Sequence, residues 1–319
     1  NLIATSFNNL DFFEFFRGGA NVFYWMPGMR YFVGLEKILY GNAYYLHLIF
    51  LSFLPFIINS FLKIYLPKKI VLVLMVSFLF FPLMHHMGFS FFQFYRYFTK
   101  VFAEPIAYTI FLLGFVRLIH FYKNKKMLFS TLPLTCFIIV TSCILRPNLT
   151  ISSFFLLLIP FFYLIINKHI KVLIIFSFCG SVIFLPFLHN IIYSNEIVLF
   201  TTAAFSNANI KININDYITL ITMFDLEFEK KRILVEMFKN FIHPAELHKY
   251  FILFFGLFFS LKTIFLKNKI LTPLYILIFT QLALFFFINP GPRYMWIFWL
   301  CSLVLSIYTF NNRKQGVLK

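Results

Sequence analysis

Nine apolar runs, each about long enough to cross a bilayer as a helix, divide this chain near 43–64, 70–87, 103–121, 127–145, 149–166, 172–193, 250–266, 270–288 and 293–310. A helix rises about 1.5 Å per residue, so about 20 apolar residues cross the hydrocarbon of a bilayer. Backbone polar groups have no water there and must be satisfied within the segment, which points to helices. The expected fold class is therefore all-α: a polytopic transmembrane helical bundle of about nine spans, with interfacial helices and outer loops. Composition agrees, because 12% of the residues are charged where a soluble domain carries roughly 25%. With 61% of residues hydrophobic, disorder is excluded. The whole of 1–319 is expected to form a single integral membrane domain. No internal repeat is visible.

The connectors between runs alternate in character. Pro67-Lys68-Lys69, Lys123-Asn124-Lys125-Lys126, Lys168-His169-Ile170-Lys171, Lys267-Asn268-Lys269 and Arg313-Lys314 are short and basic. The positive-inside rule assigns these to the cytoplasm. The net charge of +17 is carried largely in such clusters, so it indicates a membrane topology and no nucleic acid partner. The other connectors, 1–42, 88–102, 146–148, 194–249 and 289–292, then lie outside. All eleven carboxylates fall in this second set or at its helix borders. Polar chemistry is expected on that face, although longer outer loops would also gather acidic residues. The N-terminus is expected outside and the C-terminus inside. Residues 1–42 thus read as the remainder of a first outer loop that follows a span upstream of Asn1, an N-terminal truncation. Residues 194–249 form a long outer loop, of a length more often functional or disordered than merely connecting.

Ionisable groups near membrane depth cost several kcal/mol, roughly, and so mark candidate function. Arg30, Arg96, Arg146 and Arg293 each sit at a span border or short outer turn, with Tyr31 and Tyr294 beside two of them. Guanidinium forks match phosphate oxygens in a bidentate way, so four such groups converging at one leaflet would hold a lipid phosphate. A border arginine can also simply snorkel to headgroups. Asp11 and Glu14 stand three residues apart among phenylalanines, on one face of a helix suited to the headgroup layer. A carboxylate there is a candidate general base, and a solvated helix face is the plainer reading. Glu104 begins a span, where its charge also favours a helix N-terminus. His85 and His86 are adjacent at the outer end of another run, with no third ligand at metal spacing. Glu104, His85 and His86 are the residues a metal ion or an acceptor would contact. Cys136, Cys143, Cys179 and Cys301 lie in apolar runs without CxxC spacing and read as small buried hydrophobes. No Walker loop, GxGxxG, GxSxG or HExxH occurs.

The stretch Tyr24-Trp25-Met26-Pro27-Gly28-Met29-Arg30-Tyr31-Phe32, ending in Leu39-Tyr40-Gly41, resembles the first-loop region of polytopic GT-C glycosyltransferases, in the bacterial branch of protein mannosyltransferases and aminoarabinose transferases. Ala103-Glu104-Pro105 is similar to the acidic start of a later span, Leu145-Arg146-Pro147-Asn148 to a mid-chain turn, and Pro292-Arg293-Tyr294 to an Arg-Tyr pair near the last spans. The resemblance implies a multi-pass protein of the bacterial inner membrane. It implies inverting transfer of a sugar from a polyprenyl-phosphate donor to an envelope glycan, lipid or protein acceptor on the outer face. A first-loop carboxylate acts as base, often with a divalent metal (Mg or Mn), and basic residues hold the donor phosphate among membrane lipids. The family's acidic motif usually follows the first span closely, so the base is either upstream of Asn1 or supplied by Asp11 and then Glu14. An O-antigen polymerase or ligase-like enzyme and a non-enzymatic lipid or polysaccharide transporter are the competing classes. A transporter should carry polar residues at mid-span, where Gln281 is one exception to an apolar rule.

Overall fold

The computed structural model describes residues 2–18, 28–81, 89–123, 128–194, 270–284 and 294–314, with a few single positions between 218 and 258. Among them every regular element is helical. Three short helices come first: α1 (Leu2–Asn8), α2 (Phe12–Arg17) and α3 (Gly28–Tyr40). The bundle follows as α4 (Tyr45–Tyr65), α5 (Lys68–Phe80), α6 (Phe91–Thr99), α7 (Glu104–Lys123), α8 (Leu128–Leu145), α9 (Thr150–Ile166), α10 (Ile170–Ser181), α11 (Leu185–Ser194), α12 (Thr272–Leu284) and α13 (Trp296–Lys314). Of the nine apolar runs, 250–266 lies outside the described residues but for Phe258, and the other eight each contain a described helix. Two of these, α4 and α7, are long and apolar enough to cross a membrane.

Phenylalanine, isoleucine and valine are middling helix formers, so packing rather than propensity sustains these helices. α7 is apolar on all sides and buried over most of its length, with α4 and α8 against it. Beyond them α10 packs on α8, and α9, α12 and α13 follow in sequence of contact. The run expected as one span over 172–193 is broken into α10, a 3-10 turn at Val182–Phe184, and α11. Pro186 has no N–H to return to residue 182, so the helical ladder fails one turn upstream of it. Pro160 likewise leaves the Leu156 carbonyl without its helical donor, and the Tyr122 hydroxyl donates to that oxygen from α7 at 3.3 Å.

Contacts fix which ends lie together. Thr109 donates to the Phe50 carbonyl at 3.2 Å near the starts of both helices and Phe115 meets Phe61 further along both, so α4 and α7 run parallel. Arg146, after α8, meets Glu104, at the start of α7. Asn148 meets Tyr294, just before α13, and Trp296 lies against Phe94 of α6. The connectors bearing Asp11, Glu14, Glu36 and Glu104 therefore gather at one end of the bundle. At the other end Tyr65 donates to the Ile270 carbonyl at 3.3 Å and Phe121 packs on Tyr163. Exposed Lys68, Lys69, Lys123, Lys168 and Lys171 cluster there.

Candidate functional site

Glu104 opens α7 where a carboxylate suits the positive end of the helix dipole, and Arg146 closes α8 just before Pro147 ends it. Between them Arg146 Nη1 lies 2.8 Å from Glu104 Oε1, with the side chains 7% and 0% exposed. The guanidinium stacks between two phenol rings, 5.5 Å from the Tyr108 centroid and 5.0 Å from that of Tyr294. Burial opposes the Arg146 charge, but Glu104, Tyr108 and Tyr294 outweigh it and hold its pKa above the ordinary arginine value. Below this pair Asn148 Nδ2 donates to the Tyr294 carbonyl at 2.8 Å, and Gln281 Nε2 donates to the Asn148 carbonyl at 3.0 Å and to Ser152 Oγ at 2.7 Å. Ser152 and Thr280 hydroxyls are 2.8 Å apart. Five helix ends are thus sewn together by polar contacts inside an apolar bundle. An incoming phosphate would have to compete with Glu104 for the Arg146 charge.

The first-loop residues form a second group. Asp11 is the N-cap of α2, its Oδ1 accepting from the Glu14 backbone N–H at 3.1 Å. Glu14 pairs with Arg17 at 2.9 Å on a part-exposed face. Gly18, at φ +78°, ends α2 in the left-handed conformation that glycine adopts without strain. Arg30, half-buried, makes a long 3.4 Å contact to the Gly18 carbonyl, and burial lowers its pKa. Tyr31 donates to the Phe16 carbonyl and lies 3.2 Å from His189 of α11. Burial, with Tyr193 nearby, pushes the Tyr31 phenol up to about 12. The two groups meet at Gly28, whose missing Cβ lets the start of α3 rest against the Ile144 backbone, two residues from Arg146.

The structure brings together Glu104, Arg146 and Tyr294; separately it sets Asp11 and Glu14 on the first turn of α2 and Arg30 and Tyr31 against the carbonyls at that helix's end. Arg96 is apart from both: Phe94 and Tyr97 turn inward on α6, which leaves Arg96 exposed. His85, His86 and Arg293 lie outside the described residues. Among the described residues no three His, Cys, Asp or Glu side chains converge as metal ligands.

Glu36 and His47 form a pair that the sequence reading passed over. Both are fully buried. Glu36 Oε1 accepts from the His47 backbone N–H at 2.8 Å, and Oε2 is hydrogen-bonded to His47 Nδ1. A signal was present: Glu36 and His47 stand symmetrically about Gly41-Asn42, and Gly41 at φ +67° turns α3 back onto α4. Comparison of the chain with protein-family models, curated proteins and solved structures finds no match.

Proposed function

We propose that this chain is a multi-pass membrane glycosyltransferase that moves a sugar from a polyprenyl-phosphate donor to an acceptor on the outer face of the bacterial inner membrane. The observation that carries the reading is the gathering of Glu104, Arg146, Tyr294 and the α1–α3 layer at one end of the bundle, opposite the exposed lysines. An apolar exterior supports placement in lipid, since Phe53 and Phe56 of α4, Leu72 and Phe80 of α5 and Ile174 and Phe178 of α10 are all exposed. In this reading about nine helices span the membrane, and the lysine-bearing end is cytoplasmic.

Transfer by inversion breaks the bond from the anomeric carbon to phosphate oxygen as the acceptor oxygen attacks from the opposite face. The leaving electrons pass to the phosphate, and the acceptor proton passes to a base within about 2.6–3.2 Å. Asp11, and after it Glu14, are the carboxylates proposed for that proton. Arg30 and Arg293 are proposed to meet the phosphate, with Arg146 holding the Tyr294 turn next in sequence to Arg293. A divalent ion would draw on Glu104, already paired with Arg146, or on the first-loop carboxylates Asp11 and Glu14, already engaged as helix cap and ion pair, and no step of the transfer is assigned to it.

Full-length protein in liposomes, supplied with polyprenyl-phosphate sugars, should release polyprenyl phosphate and glycosylate an acceptor. Asp11→Asn retains a good helix cap while removing the base, so it isolates the chemistry from the fold. It should lower turnover about 100-fold or more with unchanged thermal stability. Equal activity in Asp11→Asn and Glu14→Gln would remove both from the reaction. Turnover only of lipid-diphosphate sugars would favour the polymerase or ligase class, and lipid movement without transfer the transporter.

Topology is tested separately. Single cysteines at positions 207 and 239 should be labelled by a membrane-impermeant reagent in intact cells, and those at 124 and 313 only after permeabilisation. Labelling of position 124 from outside would invert the assignment.

A further inference from the structure

Capping accounts for one oxygen of Glu36. The first residues of α4 lack a side-chain cap of their own, since Tyr44 supplies none, and Glu36 Oε1 fills that role from α3. It does not account for the histidine. An ionised carboxylate only accepts, so the bond to Oε2 places the proton on His47 Nδ1 in the neutral ring and leaves Nε2 as a bare acceptor. That nitrogen is completely buried and has no hydrogen-bond partner among the described residues. An apolar side chain at position 47 would fill the site without an unmet polar atom. Phe32 and Tyr44 stand edge-on to the imidazole, at 5.2 and 5.7 Å between centroids. Tyr44 precedes α4 and is itself part-exposed, so it is the neighbour of the imidazole that stands nearest the surface of the helix end. His47 lies in the first turn of α4, at the end of the bundle where α3 folds back.

We infer that His47 Nε2 is a recognition point for a sugar hydroxyl, with Glu36 acting as a positioning residue that fixes the imidazole tautomer. The inference rests on the transferase reading and adds to it a contact for the glycosyl group of the donor. The hydroxyl donates to Nε2, no bond is made or broken there, and the acceptor proton still leaves through the base. Discrimination follows from burial: a donor lacking the hydroxyl leaves the nitrogen unmet, whereas water competes poorly in so enclosed a place.

The test uses the full chain and polyprenyl-phosphate glucose, mannose and arabinose, with monodeoxy analogues of whichever is turned over. His47→Gln should lower kcat/KM about 10- to 100-fold, mainly through KM. One deoxy analogue should lose as much with wild type, and His47→Gln should cost nothing more with that analogue. Nitrogen-15 NMR of histidine-labelled protein, assigned by loss of the signal in His47→Gln, should show Nδ1 protonated and Nε2 bare, with Nε2 shifting when donor binds. Glu36→Gln should change the tautomer populations while an independent thermal-unfolding measurement reports any loss of the cap. Turnover unaffected by His47→Gln, additive losses with every deoxy analogue, or a proton found on Nε2 of the neutral ring would overturn the inference and leave the transferase standing. No turnover with any donor would overturn both.

Discussion

Arg146→Ala should destabilise the folded chain by about 3–5 kcal/mol. The arginine and Glu104 are buried together at 2.8 Å, so removing one leaves the other charged in a place without water. Glu104→Ala should cost a similar amount for the mirror-image reason. The stacking of Tyr108 and Tyr294 on the guanidinium adds to the loss in Arg146→Ala, since both rings then face a void. Restoring neutrality should restore most of the stability: Glu104→Leu combined with Arg146→Met removes both charges and keeps volume. A pair of this kind is often no better than apolar side chains of the same shape. Thermal unfolding followed by tryptophan fluorescence is apt, because Trp296 packs on Tyr108 beside the pair. Equal unfolding temperatures in wild type and Arg146→Ala would mean that the pair is solvated in the working protein.

Gly28→Val should lift α3 from the bundle, at a cost of about 1–3 kcal/mol. A Cβ at position 28 would lie 2.5 Å from the Ile144 carbonyl oxygen and 2.8 Å from its carbon. These are backbone atoms near the end of α8, which cannot turn aside as a side-chain tip can. Gly180→Ala is the matching control, because its Cβ would meet only Cys136 Sγ at an ordinary 3.7 Å. Hydrogen exchange should show faster amides along α3 in Gly28→Val and unchanged amides in Gly180→Ala. Donor turnover should fall with the first and not the second, since α3 carries Arg30 to the candidate site. Unaltered exchange along α3 would mean that its N-terminus does not rest on α8.

Apolar run length placed the helices and charge placed their ends, because both are local properties of the chain. Glu104, Arg146 and Tyr294 each drew attention as polar groups at a span border. Their meeting was not legible, since nothing in the 41 residues between the first two, or the 147 between the last two, says which helix ends adjoin. Asp11 and Glu14 were legible as a pair three apart, yet that spacing also makes one the cap of the other's helix turn. The exposure of Arg96 was legible in part, because Phe94 and Tyr97 define the inward face of α6 and position 96 falls off it. Glu36 hid because the exposed residues of α3 are Leu35, Leu39 and Tyr40, the reverse of the usual polarity.

Pro160 and Tyr122 carry a consequence for how this sequence can drift. The hydroxyl of one answers the carbonyl that the other leaves open, although they stand on different helices. A lineage that lost Tyr122 first would pass through a chain with a vacant acceptor at Leu156. One that lost Pro160 first would restore the helical donor and make the hydroxyl superfluous, after which Tyr122 could change freely. The loss of both residues is therefore passable in one order and obstructed in the other.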